Sequence, residues 1–241
     1  MTRTDMQGIR RESGVTLVEI MVALAIGSFL MIGAVQVYSQ SRQAFVINES
    51  IARVQETAQF AMDTIEADLR MASNFGRHSR GSAVEGRSLP GDTNPKGLTA
   101  HAGCGATWAL DLARPVEGSN NAYALPCAAQ TAAQANSDVI TTRRTTVDPQ
   151  LPQAGRVQIQ STRIQGELFD DGNVPGGFDP VESQTHTLLV NSYYVAADSQ
   201  LIPGAPTLRR KSLQAGGVVD QEVAPGVENL QVQFGVDMDQ D

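Results

Sequence analysis

Glu19 is the one charged side chain in the apolar run from Val15 to Val35, and Gly14 stands immediately before that run. A carboxylate inside a membrane helix costs about 2.5 kcal/mol or more at the centre and less near an end. Such a residue needs a partner. The two cysteines, Cys104 and Cys127, offer a second kind of chemistry. In an exported chain an even count suggests one disulfide; two free thiols are the alternative. Zinc has no ligand set, because His78, His101 and His186 are scattered and there is no Cys-x-x-Cys. Asp237, Asp239 and Asp241 open like a calcium loop, but no glycine or closing glutamate follows, so a solvated acidic end is the expectation. No nucleophile constellation, phosphate-binding glycine loop or metal cluster is present in the sequence. An enzyme or a cofactor is not expected.

The charge balance narrows the partners. A net charge of −8 and a pI near 4.9 argue against a general nucleic-acid binder, which needs a basic face. Arg143-Arg144 and Arg209-Arg210-Lys211 are short basic groups and read as solvated strand edges or loops.

The element that carries Glu19 is a helix. About 21 residues at 1.5 Å each span roughly 30 Å, the thickness of a bilayer's hydrocarbon core. Arg3, Arg10 and Arg11 precede the run, which keeps that end cytoplasmic and sends the bulk of the chain outside. No small-residue cleavage site follows the run, as it would after an ordinary secretory signal. No proline occurs before Pro90, and no glycine between Gly33 and Gly76. From Ile47 the apolar residues Ile51, Val54, Ala58, Ala61, Met62, Ile65 and Leu69 follow at helical steps. One helix is therefore expected from about Val15 to about Ala72, apolar all round at first and amphipathic later, with Asn74 and Gly76 as its stop. Asp68 falls on the seam of the apolar stripe. Small residues at Ala23 and Gly27 would let helices approach closely.

Residues 75–137 are rich in Gly, Ala, Ser, Asn and Pro and read as a long irregular, surface-exposed segment held in part by the cysteines, with Trp108 as a core plug. From Asp138 the pattern turns to strands at 138–147, 156–164, 185–196, 206–213, 218–224 and 227–236, separated by turn formers such as Pro203-Gly204 and Pro225-Gly226. The last carries the alternation of Leu230, Val232 and Phe234.

Gly14-Val15-Thr16-Leu17-Val18-Glu19 resembles the processing motif of type IV prepilins and type II secretion pseudopilins. The resemblance implies a prepilin peptidase cut between Gly14 and Val15, N-methylation of Val15, and Glu19 as the assembly carboxylate that pairs with a neighbouring subunit's terminal amine. Glycine suits a tight protease subsite. Val15 stands where most members have Phe. QSRQAF after the run, the Glu66–Ala72 stretch, Ser137–Ile140, Ser192–Val195, Leu208–Arg210 and Gly226–Val232 are similar to PilW-type minor pilins of Gram-negative bacteria. Relatives usually continue into more strand beyond the position of Asp241.

That resemblance implies an α+β, pilin-like fold: a long N-terminal α-helix, membrane half plus amphipathic half, packed on a mainly antiparallel β-sheet head. Its parts are a cleaved leader 1–14, a transmembrane or filament-core helix 15–38, an amphipathic helix 39–74 packing on the head, the irregular region 75–137 and the β-rich head 138–241. The implied function is a minor pilin that primes assembly of a type IV pilus and enters it near the tip, in filaments that serve twitching, DNA uptake or adhesion. Its implied partners are other minor pilins, the major pilin, a tip adhesin and the inner membrane, where it sits as a single pass with a periplasmic head before reaching the cell surface. A type II secretion pseudopilin and a membrane-anchored binding module are the alternatives.

Overall fold

A computed structural model of the chain describes residues 14–235. The leader ahead of Gly14 and the Asp237, Asp239 and Asp241 cluster lie outside the described residues. The chain divides into two units, Met1–Gln55 and Glu56–Asp241.

Helix α1 runs Leu17–Arg70. Its start is set by Thr16, and its length by the lack of proline and the rarity of glycine. Ion pairs at i,i+4, Glu49 with Arg53 and Glu66 with Arg70, support its exposed face. In the first unit every described residue is exposed. In the second unit only Thr57, Ala61, Thr64, Ile65 and Asp68 of the helix are covered or half-covered, at steps of three, four and one. Ile47, Ile51 and Val54, which belong to the first unit, are exposed. The helix ends where Ser73 turns to φ 69° and Gly76 to φ 85°. A Cβ on Gly76 would run into Ser161 and His186, so the close approach as well as the φ requires glycine.

The head is an eight-stranded, mostly antiparallel sheet. Its strands are β1 (Val84–Glu85), β2 (Val116–Ser119), β3 (Val139–Thr145), β4 (Ala154–Ser161), β5 (Gly166–Asp171), β6 (Gln184–Ala196), β7 (Thr207–Gln214) and β8 (Gly217–Pro225). The long β6 organises the rest. One edge pairs with β3 over Leu188–Tyr193. The other edge pairs with β4 over Gln184–Thr187 and with β7 over Asn191–Ala196. The sheet therefore forks along a single strand, with β5 and β1 continuing one branch and β8 the other.

Alternation along β6 decides the two faces. Tyr193 joins Ile140, Leu208, Ala61 and Ile65 in a cluster beneath the helix. Leu188 and Val190 turn the other way, into a larger cluster with Phe75, Trp108, Leu110 and Leu112. The region 75–137 is thus a packed layer over the second face of the sheet. Its apolar residues are few and widely spaced, which made it look exposed in sequence, yet they converge. A short helix, α2 (Ala106–Leu110), carries Trp108, whose Nε1–H donates to Ser192 Oγ at 2.8 Å. Cys104 and Cys127 are joined in a disulfide that closes this layer. A closed loop of that size contributes about 3 kcal/mol in the chain-entropy account.

Four strand expectations differ, the first two being β1 and β2, which fall in the region 75–137 read from sequence as irregular. β5 was hidden in Gly-Glu-Leu-Phe-Asp-Asp, which lacks β-branched residues and clean alternation. The segment after Pro225 is not a strand in the described residues. Its Leu230 and Val232 still pack with the cluster beneath the helix, but Asp138 takes over the pairing: its N–H donates to Leu230 O at 2.9 Å and its carboxylate accepts from Val232 N–H at 2.7 Å. A side chain thus holds this segment beside β3 where a ladder would otherwise run.

Candidate functional site

The helix start is built from two residues. Thr16 N–H donates to Glu19 Oε2 at 3.1 Å, the Thr16 hydroxyl donates to the same oxygen at 3.2 Å, and Glu19 N–H points back to Thr16 Oγ1 at 3.3 Å. This is a reciprocal capping box, which satisfies backbone donors that the first turn leaves free. Both bonds to the carboxylate fall on Oε2; among the described residues Oε1 accepts none. Glu19 is therefore held in one rotamer with an oxygen turned outward. The signal for Thr16 was in the sequence as Thr-x-x-Glu, and only Glu19 was singled out from it.

Gly14 and Val15 lie just ahead of the helix and are exposed. Around them Leu17, Val18, Met21 and Leu24 are all exposed, and the helix has an 18-residue window with mean hydropathy 2.3. A Cβ at Gly27 or Gly33 would meet nothing, so within the chain these glycines serve no contact. An apolar helix with every face uncovered is built to be buried by something else, lipid or other helices. Cys104 and Cys127, the remaining residues singled out by sequence, sit in the head's second layer and have no part in this segment.

The head holds two buried charge clusters where solvated arginines were expected. The first fastens the helix to the sheet. Asp68 accepts from Arg144 Nε at 2.8 Å, from Asn191 Nδ2 at 2.6 Å and from the Tyr193 hydroxyl at 2.6 Å. Burial pushes the Tyr193 phenol up, and the hydrogen bond to Asp68 adds to that, so it stays a donor. This is why an aspartate sits on an apolar seam. Its neighbour Arg143 points through the other face, 1% exposed, with Nε on Trp108 O and Nη2 on Glu117 Oε2 at 2.9 Å.

The second cluster joins β7 to β8. Arg209 Nε donates to Asp220 Oδ1 at 2.7 Å, and Lys211 Nζ to Asp220 Oδ2 at 2.8 Å. Arg209 Nη1 lies 3.5 Å from Glu222 Oε2. The Tyr194 hydroxyl donates to Asp220 Oδ2 at 2.7 Å, and burial pushes its phenol up. Burial works to raise the Asp220 carboxyl, but Lys211, Tyr194 and Arg209 outweigh it and hold it below the ordinary carboxylate value. Glu222 is likewise held down against burial, by Ser199, the Gln200 N–H and Arg209. Strand alternation explains the surprise: Arg209 and Lys211 both face the covered side, so an i,i+2 basic pair became a buried one.

A cavity of about 300 Å³ opens between β3 and the second layer, walled by Trp108, Leu125, Pro126 and Val139. Among the described residues no group of three or more metal-ligating side chains comes together.

Comparison with known families falls on both ends of the chain. Residues 9–35 match the prokaryotic N-terminal methylation motif, and residues 192–241 match the Type IV Pilus-assembly protein W family. The chain is similar to the PilW pilus-assembly family over that C-terminal stretch and carries a prepilin-like methylation motif at its start. No curated protein and no solved structure matches it. The methylation match contains Gly14, Val15, Thr16 and Glu19; the PilW match contains the end of β6, all of β7 and β8, and so the whole Arg209 cluster. PilW-family proteins are structural and not enzymes. The prepilin motif implies processing by a prepilin peptidase and handling by the pilus machinery, and together with the apolar helix it agrees with inner-membrane anchoring before pilus assembly.

Proposed function

We propose that the chain is a minor pilin that helps prime a type IV pilus and is built into it near the tip, beside other minor pilins and the major pilin. A prepilin peptidase removes residues 1–14 by cutting between Gly14 and Val15, and Val15 is N-methylated. Residues 15–38 hold the subunit in the inner membrane with the head in the periplasm, then enter the filament core. The observation that carries this reading is Glu19 in the first turn of a helix whose apolar part, through Val35, is exposed throughout, with Oε2 tied to Thr16 and Oε1 open. An ammonium group docking on Oε1 turns a costly buried carboxylate into a pair that forms only in register. The match over 192–241 favours the pilus over the secretion pseudopilus.

Mass spectrometry of the membrane-purified protein from cells with the peptidase is expected to find a chain starting at methylated Val15. An intact 1–14 leader sinks the reading. Two substitutions separate capping from charge. Glu19→Gln keeps an acceptor for Thr16 and removes the charge, and Glu19→Ala removes both. Both are expected to insert into the membrane normally and to lower the amount in sheared filaments at least fivefold. Normal incorporation of Glu19→Gln counts against the amine pair.

A further inference from the structure

Residues 121–136 contain no fully buried side chain, yet from Tyr123 to Ala133 half-buried and exposed residues alternate without a break. Tyr123, Leu125, Cys127, Ala129, Thr131 and Ala133 turn toward the head, and the residues between them face outward. This is an extended strap laid over the end of β6, with one bridge, Ala133 opposite Ala196. Hydrogen bonds tie its two ends. Asn121 N–H donates to Asp138 Oδ1 at 2.7 Å, Gln134 N–H to Val195 O at 2.9 Å, and Ala197 N–H to Ala132 O at 2.8 Å. Between these ends it is held by Gln130 N–H on the Tyr194 hydroxyl oxygen at 3.1 Å, by Thr131 Oγ1 on Asp198 O at 3.3 Å, and by the disulfide from Cys127 to Cys104.

The strap covers a buried part of the sheet. Val139, Tyr194 and Ala196 lie beneath it, with Tyr123, Leu125, Ala129 and Ala133 packed on them. The Tyr123 ring meets the Tyr194 ring edge-on, 5.0 Å between centroids. The Tyr194 hydroxyl donates to Asp220 Oδ2 at 2.7 Å, so the strap also covers the way into the Arg209 cluster. Ordering residues 121–136 costs chain entropy. Half-covered and mostly alanine side chains offset it only in part, because little apolar surface leaves water. The disulfide ties the middle of the strap to Cys104, which is buried in the second layer, and so restricts the open state.

We propose that the Cys104–Cys127 disulfide is a redox lock on this strap. In the oxidised chain the strap is shut over Tyr194. In the reduced chain it lifts and admits water to Asp220, while the sheet stays folded. Opening is a two-electron exchange. A thiolate of an external dithiol attacks Cys127 Sγ, the half-buried sulfur, and expels Cys104 as its thiolate. The second sulfur of the dithiol then displaces Cys127. Both protein thiolates take up protons, and the dithiol leaves as a disulfide. Closing is the reverse exchange, with a disulfide as the oxidant.

Hydrogen–deuterium exchange on the full chain in detergent, oxidised and then reduced with dithiothreitol, tests it. On reduction the amides of Asn121, Gln130 and Gln134 are expected to exchange at least tenfold faster, while those of β4 and β5 change less than twofold. The double variant Cys104→Ala with Cys127→Ala is expected to match the reduced chain, which separates the lost bond from any effect of the reductant. In the reduced chain a maleimide is expected to label Cys127 at least tenfold faster than Cys104, because only the strap has lifted. Strap amides that keep their oxidised rates overturn the proposal, since the disulfide then locks nothing. A rise shared equally by β4 and β5, or equal labelling of the two cysteines, also overturns it and makes the disulfide a general brace of the head.

Discussion

Asp68→Ala is expected to lower the stability of the head by about 3 kcal/mol, the scale for removing one member of a buried pair. For a domain of this size that is a fall of roughly 10 °C in Tm. The carboxylate is the common acceptor for Arg144, Asn191 and Tyr193, so its removal takes the charged partner from Arg144 and weakens all three at once, leaving Tyr193 only the longer contact to Thr64 O at 3.3 Å. Asn191 is itself tied to Ser212 of β7, so the loss reaches the next strand. Asp68→Asn keeps the shape and one acceptor but sets an amide against the Arg144 guanidinium, and is expected to cost about half as much. A cost below 1 kcal/mol for Asp68→Ala, read by denaturant unfolding, would falsify the role of this cluster as the clamp between α1 and the sheet. Asp68→Leu combined with Arg144→Met offers the control. It removes both charges and keeps apolar bulk, and is expected to recover at least half of the lost stability.

Asp68 also marks what the sequence could and could not reveal. The helix was legible from end to end, because residues 15–72 lack the breakers that would stop it and because apolar steps of three and four continue past the membrane-length run. The strands that alternate β-branched residues, β3, β4, β6, β7 and β8, were legible for the same kind of reason. Glu19 was legible because nothing else in its run is charged. What stayed hidden depends on contacts between distant segments. Asp68 looked like an interruption of the stripe, since its partners lie more than 70 residues away in β3 and β6. Arg143 and Arg209 looked solvated, since short basic groups usually are, and their acids arrive from β2 and β8. The layer over residues 75–137 looked loose, since Phe75, Val84, Leu98 and Trp108 show no period when each is placed by its own turn.

The Arg209 cluster yields the other large effect and a pH dependence with a definite sign. Arg209 is 1% exposed and meets Asp220 and Glu222, while Lys211 meets Asp220, so two cations balance two carboxylates in one buried place. Arg209→Met leaves an excess negative charge there and is expected to cost about 3–4 kcal/mol. Adding Glu222→Gln restores the balance around Lys211 and Asp220, and the double variant is expected to be more stable than Arg209→Met alone; additive costs would count against a shared cluster. Both carboxyls are held below their ordinary values in the folded chain, 3.8 for Asp220 and 4.5 for Glu222. The unfolded chain therefore binds more protons as pH falls through that range. The stabilisation from the two acids is fully present above about pH 5 and is lost progressively as pH falls below about 4.5, toward their depressed folded values. Arg209 is among the groups that hold both acids down, so in Arg209→Met their folded values lie closer to the ordinary ones, and the acid-induced loss is expected to be smaller and to be complete at a higher pH. Thermal melts from pH 7 to pH 3 read this directly. A variant whose Tm falls between pH 7 and pH 3 by as much as the wild type's would show that Arg209 fills space in the sheet without setting the charge state of β8.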